Sequence, residues 1–205
     1  VENVAQISCA FQFSLIQKED ESNMLVSGEL PGSIKLEIFS PYPSLKDITQ
    51  FSCGDYHVAF VDSNGDVYLI GDLLGNNAES GAMKVPGLPK ISKVSCGVSK
   101  VICLDREGYV HTFGSRDLGR GIVRGVPSPP ALLPNVKDIY SLSQGCGAFH
   151  TIIKATDGNI YGFGENKYRQ LSVGRKRAAQ FPKLLPKKYC NLYAQRQFHQ
   201  KSARK

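Results

Sequence analysis

Three segments of this chain repeat one residue order at one internal spacing, and this constrains the fold more than any other feature. Each runs from a Cys-Gly pair through an apolar stretch, a turn and a second apolar stretch to a closing glycine. The first has Cys53-Gly54, His57–Val61, Asn64-Gly65 and Val67–Gly71. The second has Cys96-Gly97, Val101–Leu104, Glu107-Gly108 and Val110–Gly114. The third has Cys146-Gly147, Phe149–Ile153, Asp157-Gly158 and Ile160–Gly164. The opening and closing glycines are 17 residues apart in all three. A worn copy precedes them, with Ile7-Ser8-Cys9-Ala10, Phe13–Ile16 and Met24–Gly28; its turn lacks glycine. The closing glycines 28, 71, 114 and 164 follow one another at 43, 43 and 50 residues. Periods of this length mark arrays of one supersecondary unit.

Each unit reads as strand, turn, strand. Val58–Val61 and Val67–Ile70 are rich in β-branched and aromatic residues, which fit a pleated surface. Asn64-Gly65 and Asp157-Gly158 suit turns that need a positive φ. Each closing glycine leads into a polar loop and then an apolar-proline stretch: Val85–Pro89, Ala131–Pro134 and Phe181–Pro186. These stretches carry the chain to the next unit. A lone hairpin cannot bury its apolar face in water. Units of this size solve that by packing side by side, and radial packing leaves only short, protected edges. The expected fold is all-β, a β-propeller of about four four-stranded blades. The blades are expected at residues 1–44, 45–90, 91–135 and 136–186, with 187–205 a basic tail or linker.

The order Cys-Gly, His-Thr, aliphatic run, turn glycine, Ile/Val-Tyr and closing glycine resembles the repeat of the regulator of chromosome condensation family. The last unit is the nearest match, through Cys146-Gly147, His150-Thr151, Asp157-Gly158, Ile160-Tyr161, Phe163-Gly164, Asn166 and Gln170-Leu171. The resemblance covers residues 1 to about 186. It departs at the tryptophan that usually precedes the closing glycine, here Ser27, Ile70, Phe113 and Phe163. Lys100 stands where histidine is expected, and Arg169 and Ser172 replace glycines. The best-known members close seven blades, so the resemblance implies part of a larger propeller, with a closed four-bladed ring as the alternative. It also implies a non-catalytic protein-interaction scaffold. The alternatives are a guanine-nucleotide exchange factor for a Ran-type small GTPase with chromatin contact, or a structural subunit of a nucleoprotein or cytoskeletal assembly anchored by its basic tail.

Little here points to catalysis. Cys9, Cys53, Cys96 and Cys146 share one repeat position. They read as small packable residues beside a tight turn, since no Cys-x-x-Cys metal pair occurs. Cys103 falls in a strand core, and Cys190 is a lone thiol in the tail. His57 and His150 share another position and read as hydrogen-bonded fold residues; a general base needs a poised partner. His111 falls on a semi-exposed strand face and His199 in the tail. Gly162-Phe163-Gly164 lacks the third glycine of a phosphate loop, and no Gly-x-Ser-x-Gly elbow exists. No enzymatic activity, cofactor or metal is expected. Six cysteines are too sparse for a disulfide scaffold. No apolar run reaches the ~18 residues of a membrane span. An intracellular protein, cytoplasmic or nuclear and without membrane contact, is the expectation.

The net charge of +7 is unevenly placed. All 18 acids lie in residues 1–165, with 13 Lys and Arg; the last 40 residues hold 12 basic residues and no acid. Such a tail attracts phosphate backbones or acidic partners, so nucleic acid is one candidate partner. A solvated linker, or the start of a degenerate fifth repeat, is the other reading. Protein partners, a small GTPase among them, are expected at the loops 72–84, 115–130 and 165–180, because loops on a rigid scaffold carry binding. The candidate partner-binding residues are Arg116, Arg120 and Arg124 in the middle loop, and Arg175, Lys176 and Arg177 in the last.

Overall fold

The computed structural model describes residues 2–19, 24–30, 36–42, 47–71, 73, 81–121, 124–136, 138–142 and 149–186. Among them are sixteen strands and no helix. The first four are β1 (Val4–Cys9), β2 (Phe13–Lys18), β3 (Met24–Gly28) and β4 (Leu36–Tyr42). Next come β5 (Ile48–Cys53), β6 (His57–Asp62), β7 (Val67–Gly71) and β8 (Met83–Lys84). Then follow β9 (Ile91–Gly97), β10 (Lys100–Asp105), β11 (Val110–Arg116) and β12 (Arg124–Leu132). The last are β13 (Ile139–Leu142), β14 (His150–Ala155), β15 (Ile160–Glu165) and β16 (Ala178–Leu184). Each group of four pairs in chain order into one antiparallel sheet. These sheets are the four blades. No helix among the described residues is long and apolar enough to cross a membrane. The basic tail, Cys146, Cys190, His199 and most of loop 72–84 lie outside the described residues.

The central hairpins keep one register. His57 faces Gly71, Lys100 faces Gly114 and His150 faces Gly164. Their turns place Gly65, Gly108 and Gly158 at φ of 82°, 88° and 80°, where a side chain is costly. An aspartate at each turn takes up loose backbone donors. Asp62 Oδ1 accepts from Asp66 N, Asp105 Oδ1 from Glu107 N and Tyr109 N, and Asp157 Oδ1 from Asn159 N.

The blades pack face to face, with three apolar cores between them. Alternate residues of β6 point opposite ways. Val58 and Phe60 join Phe13, Leu15, Met24 and Val26 of the first blade. Ala59 and Val61 join Val94, Cys96, Val101 and Cys103 of the third. Similarly, Ile102 and Leu104 of β10 turn to Ile153, Ala155 and Phe163 of the fourth. A strand covered on both faces needs no polar alternation, which is why β6 and β10 read as continuous apolar runs. Each such side chain contributes roughly 1.5–3 kcal/mol by leaving water.

A polar latch repeats at the blade junctions. Gln6 Nε2 donates to the Phe51 carbonyl at 2.6 Å, and Ser8 Oγ accepts from Cys53 N at 3.0 Å. One repeat later, Gln50 Nε2 donates to the Val94 carbonyl at 3.0 Å, and Ser52 Oγ accepts from Cys96 N at 3.0 Å. The first strands of the first and second blades thus present Gln-x-Ser to the backbone of the next blade's first strand. Net contributions of about 1 kcal/mol per bond are typical.

Candidate partner-binding cleft

The end of the blades that carries the closing glycines also carries the candidate site. Past Gly114, β11 continues to Arg116, and Leu118 then turns fully inward. Asp117 is driven to a φ of 51° by that reversal, and Gly119 and Gly121 lie at 71° and 100°. A Cβ on Gly119 would strike Leu133 and Phe163, so the loop presses against the core between the third and fourth blades. Gly121 N donates to the Gln180 carbonyl at 3.1 Å and ties the loop to β16.

On the fourth blade, Asn166 organises the facing loop. It is buried; its Nδ2 donates to the carbonyls of Gly174 and Lys176, and its Oδ1 accepts from Leu171 N. Asn166 N also donates to the Arg177 carbonyl at 2.6 Å. This one side chain folds residues 166–177 into a compact loop and delivers Arg177 to the start of β16.

Between the two loops is a cleft of about 430 Å³. Arg116, Asp117, Phe149, Glu165, Arg177 and Gln180 line it. The Arg116 guanidinium lies over the Phe149 ring at 5.9 Å from the centroid. Such stacking holds a cation without neutralising it and contributes about 0.5–1 kcal/mol when exposed. Arg116 and Arg177 are both exposed. Behind Phe149, burial lowers the pKa of His150, with the nearby Lys100 charge acting the same way and Glu165 opposing. Imidazole there favours its neutral form, so the charged groups lining the cleft are Arg116 and Arg177 together with Asp117 and Glu165.

The six basic candidates therefore separate. Arg116 and Arg177 converge on the cleft. Arg120 turns into its own blade, donating to Thr112 Oγ1, Ser128 Oγ and the carbonyls of Thr112 and Pro129. Thr112 Oγ1 in turn donates to the Leu118 carbonyl at 2.8 Å, so Arg120 braces the loop. Arg124 pairs its backbone with that of Arg116. Arg175 and Lys176 are exposed on the loop outside the cleft. Phe149, Glu165 and Asn166 escaped the sequence reading as site residues. Asn166 was visible as part of the repeat pattern, whereas Phe149 sits one residue before the repeat histidine, where nothing marks it.

Other polar clusters have structural partners. Half-buried His111 Nε2 and buried Asp105 Oδ2 lie 2.9 Å apart beside a hairpin turn. Asp66 pairs with Lys84 and Lys90 at 2.8 and 2.9 Å, which pulls its carboxyl below the ordinary range. Among the described residues no three His, Cys, Asp or Glu side chains cluster to hold a metal.

The family model of the regulator of chromosome condensation (RCC1) repeat matches residues 145–170, the stretch holding the hairpin β14–β15 and the Asn166 loop. The chain carries one matched repeat of the regulator of chromosome condensation family. Further likenesses extend past that one repeat. The protein RCC2 homolog of Xenopus laevis is 34% identical over 73 residues, covering 34% of this chain and 14% of the relative. Prp20p of Saccharomyces cerevisiae superposes with a TM-score of 0.75 at 17% identity, over 91% of this chain and 51% of its own. Human WBSCR16 gives 0.73 at 19% identity, over 89% and 53%. Identities this low show a shared propeller fold. The chain spans about half of these two solved propellers and about a seventh of the curated relative. A closing glycine with positive φ and a buried leucine beyond it (Leu30, Leu73, Leu118 and Leu171) recur in all four blades, and the latch at the first two junctions.

Proposed function

We propose that this chain is a non-catalytic protein-interaction scaffold that takes an acidic segment of a protein partner into the cleft between its third and fourth blades. The observation that carries the reading is the convergence of Arg116 and Arg177 on one cavity from two blades. Exposed Arg116, over the Phe149 ring, and exposed Arg177 offer two cations to a carboxylate-bearing loop, with Asp117 and Glu165 on the same lining to select against other registers. Nucleic acid remains a second kind of partner for the basic tail, and the proposed setting is the cytoplasm or nucleus.

The expected result is that Arg116→Glu with Arg177→Glu removes partners from affinity capture while leaving the fold intact, because both side chains are exposed. Capture compared by quantitative mass spectrometry reads this, with losses of tenfold or more for direct partners. Undiminished capture by the double variant would overturn the reading.

Prp20p has binding properties to Gsp1p and histones. That favours a second reading, in which the partner is a Ran-type GTPase and the chain speeds nucleotide release. Fold alone does not transfer function. Release of fluorescent GDP from such a GTPase separates the two: the scaffold reading expects capture without acceleration.

A further inference from the structure

Tyr56, Ser99 and Phe149 hold one repeat position, each directly before the residue that faces its blade's closing glycine. Their carbonyls stand against those glycines, so the three side chains emerge at one end of the blades, the end that carries the arginine cleft. Phe149 lies in the cleft beneath the Arg116 guanidinium. Tyr56, two blades earlier, meets a different neighbour. Phe11, in the turn between β1 and β2, tilts against it with ring centroids 5.8 Å apart and planes at 60°. Phe11 is 71% exposed and Tyr56 52%. Tyr56 keeps this exposure with the first blade packed on one side of its own and the third on the other. Touching rings left in water at a junction whose two blades are both present form an apolar patch, and such patches mark contact surfaces.

We infer that the Phe11–Tyr56 pair is the apolar half of a two-part docking face: one extended segment of a protein partner lays carboxylates in the arginine cleft and an aromatic or aliphatic side chain on this pair. The inference rests on the cleft reading above and adds a second anchor to it. Charge sorts the two ends of the segment. Half-buried Asp55, beside Tyr56, keeps carboxylates off the rings, while Arg116 and Arg177 draw them to the cleft. Ring edges and faces favour an aromatic or branched anchor. The way between the sites crosses the third blade, where Ser99 replaces the aromatic and its small side chain leaves room for a passing chain. Spacing fixes the pattern. The pair is at the junction of the first and second blades and the cleft at that of the third and fourth, two blade packings apart. Sheets packed face to face stand about 10 Å apart, so the sites are roughly 20 Å apart. An extended chain advances about 3.3 Å per residue, which places the apolar anchor about six residues from the acids.

The test pans the full 205-residue chain against phage displaying random peptides of about 16 residues, long enough to reach both sites. Enriched peptides are expected to carry two or more Asp or Glu, with Phe, Tyr, Trp, Leu or Ile about six residues away. In fluorescence anisotropy, Phe11→Ser with Tyr56→Ser is expected to weaken such a peptide at least tenfold, with the melting temperature unchanged because both rings are exposed. Serine at the peptide's apolar anchor should cost as much on the unaltered chain and nothing further on the double variant, a coupling that general damage to the fold would not produce. Acidic peptides that bind through Arg116 and Arg177 and need no apolar anchor would overturn the inference and leave the cleft reading standing. An anchor that counts equally without Phe11 and Tyr56 would do the same. So would self-association of the chain that Tyr56→Ser abolishes, since a second copy would then cover the pair. Enrichment without acids, indifferent to Arg116→Glu with Arg177→Glu, would overturn the cleft reading and this inference with it, as would the absence of any enriched peptide.

Discussion

Gly114→Ala is expected to lower the stability of the chain by about 4 kcal/mol, and its melting temperature by roughly 10 °C. Gly114 lies at a φ of 121°, where an L side chain is strained. Geometry adds a second cost. The following residue, Ser115, donates its N–H to the Ser99 carbonyl at 2.9 Å. That carbonyl therefore stands against the glycine, and a Cβ there would collide with Ser99 O and Lys100 Cα. Backbone cannot swing aside as a side-chain tip can. Gly28 and Gly164 repeat the arrangement with Gln12 and Phe149, through Glu29 N and Glu165 N. Gly158 supplies the control: its φ is 80°, yet nothing lies within 4 Å of its missing Cβ. Gly158→Ala is expected to cost only the backbone term, about 1 kcal/mol. Thermal melts of the two variants side by side decide the matter. Equal losses would remove the collision from the account.

Acid is expected to weaken the chain through His57, by about 3 kcal/mol between pH 6.5 and 4. The imidazole is buried between the second and third blades, with its ring against Gly54 and close to the Gly97 carbonyl. Burial lowers its pKa from 6.5 to about 4, and a hydrogen bond to the backbone of Lys100 opposes this. Between those values the folded chain keeps the ring neutral while the unfolded chain takes up a proton. The unfolded state then holds more protons, so stability falls as pH falls through the window and is flat above it. His150 adds to the same trend, because its pKa is lowered too. In His57→Gln the slope contributed by this ring disappears, even if the variant is less stable at every pH. Chemical denaturation of both proteins at pH 7, 5.5 and 4 reads the difference. Parallel curves would show that His57 titrates as an ordinary histidine.

The hairpins were legible because their causes are local. A turn glycine, an aspartate beside it and apolar residues on both sides suffice, and β6–β7 and β10–β11 follow directly. The blade junctions were not, because their partners lie 44 or 45 residues apart. The latch leaves only a faint trace in the order Gln6-Ile7-Ser8-Cys9, Gln50-Phe51-Ser52-Cys53 and Lys93-Val94-Ser95-Cys96. Its polar members look like ordinary surface residues until the next strand is placed against them. The fourth unit hides a further detail. Leu142 faces Ile153 as Val94 faces Cys103, yet Leu142 precedes its cysteine by four residues and Val94 by two. The connection into β14 is therefore longer by two residues, which alignment on Cys146 alone conceals. At the cleft, Arg116 and Arg120 were equivalent as charges on one loop. What parts them is Leu118, whose burial sends one arginine outward and folds the other back onto Thr112.

The claim on which all this rests is that the blades hold one another through their first strands. Native-state hydrogen exchange at the Cys96 amide, in the intact chain and in Ser52→Ala, tests it most directly. That amide is predicted to be strongly protected, and to exchange about fivefold or more faster once the serine of the preceding blade is gone, as loss of about 1 kcal/mol requires. The Cys53 amide, held by Ser8 instead, should keep its rate. A Cys96 amide that exchanges freely in the intact chain, or that ignores Ser52→Ala, would contradict the account.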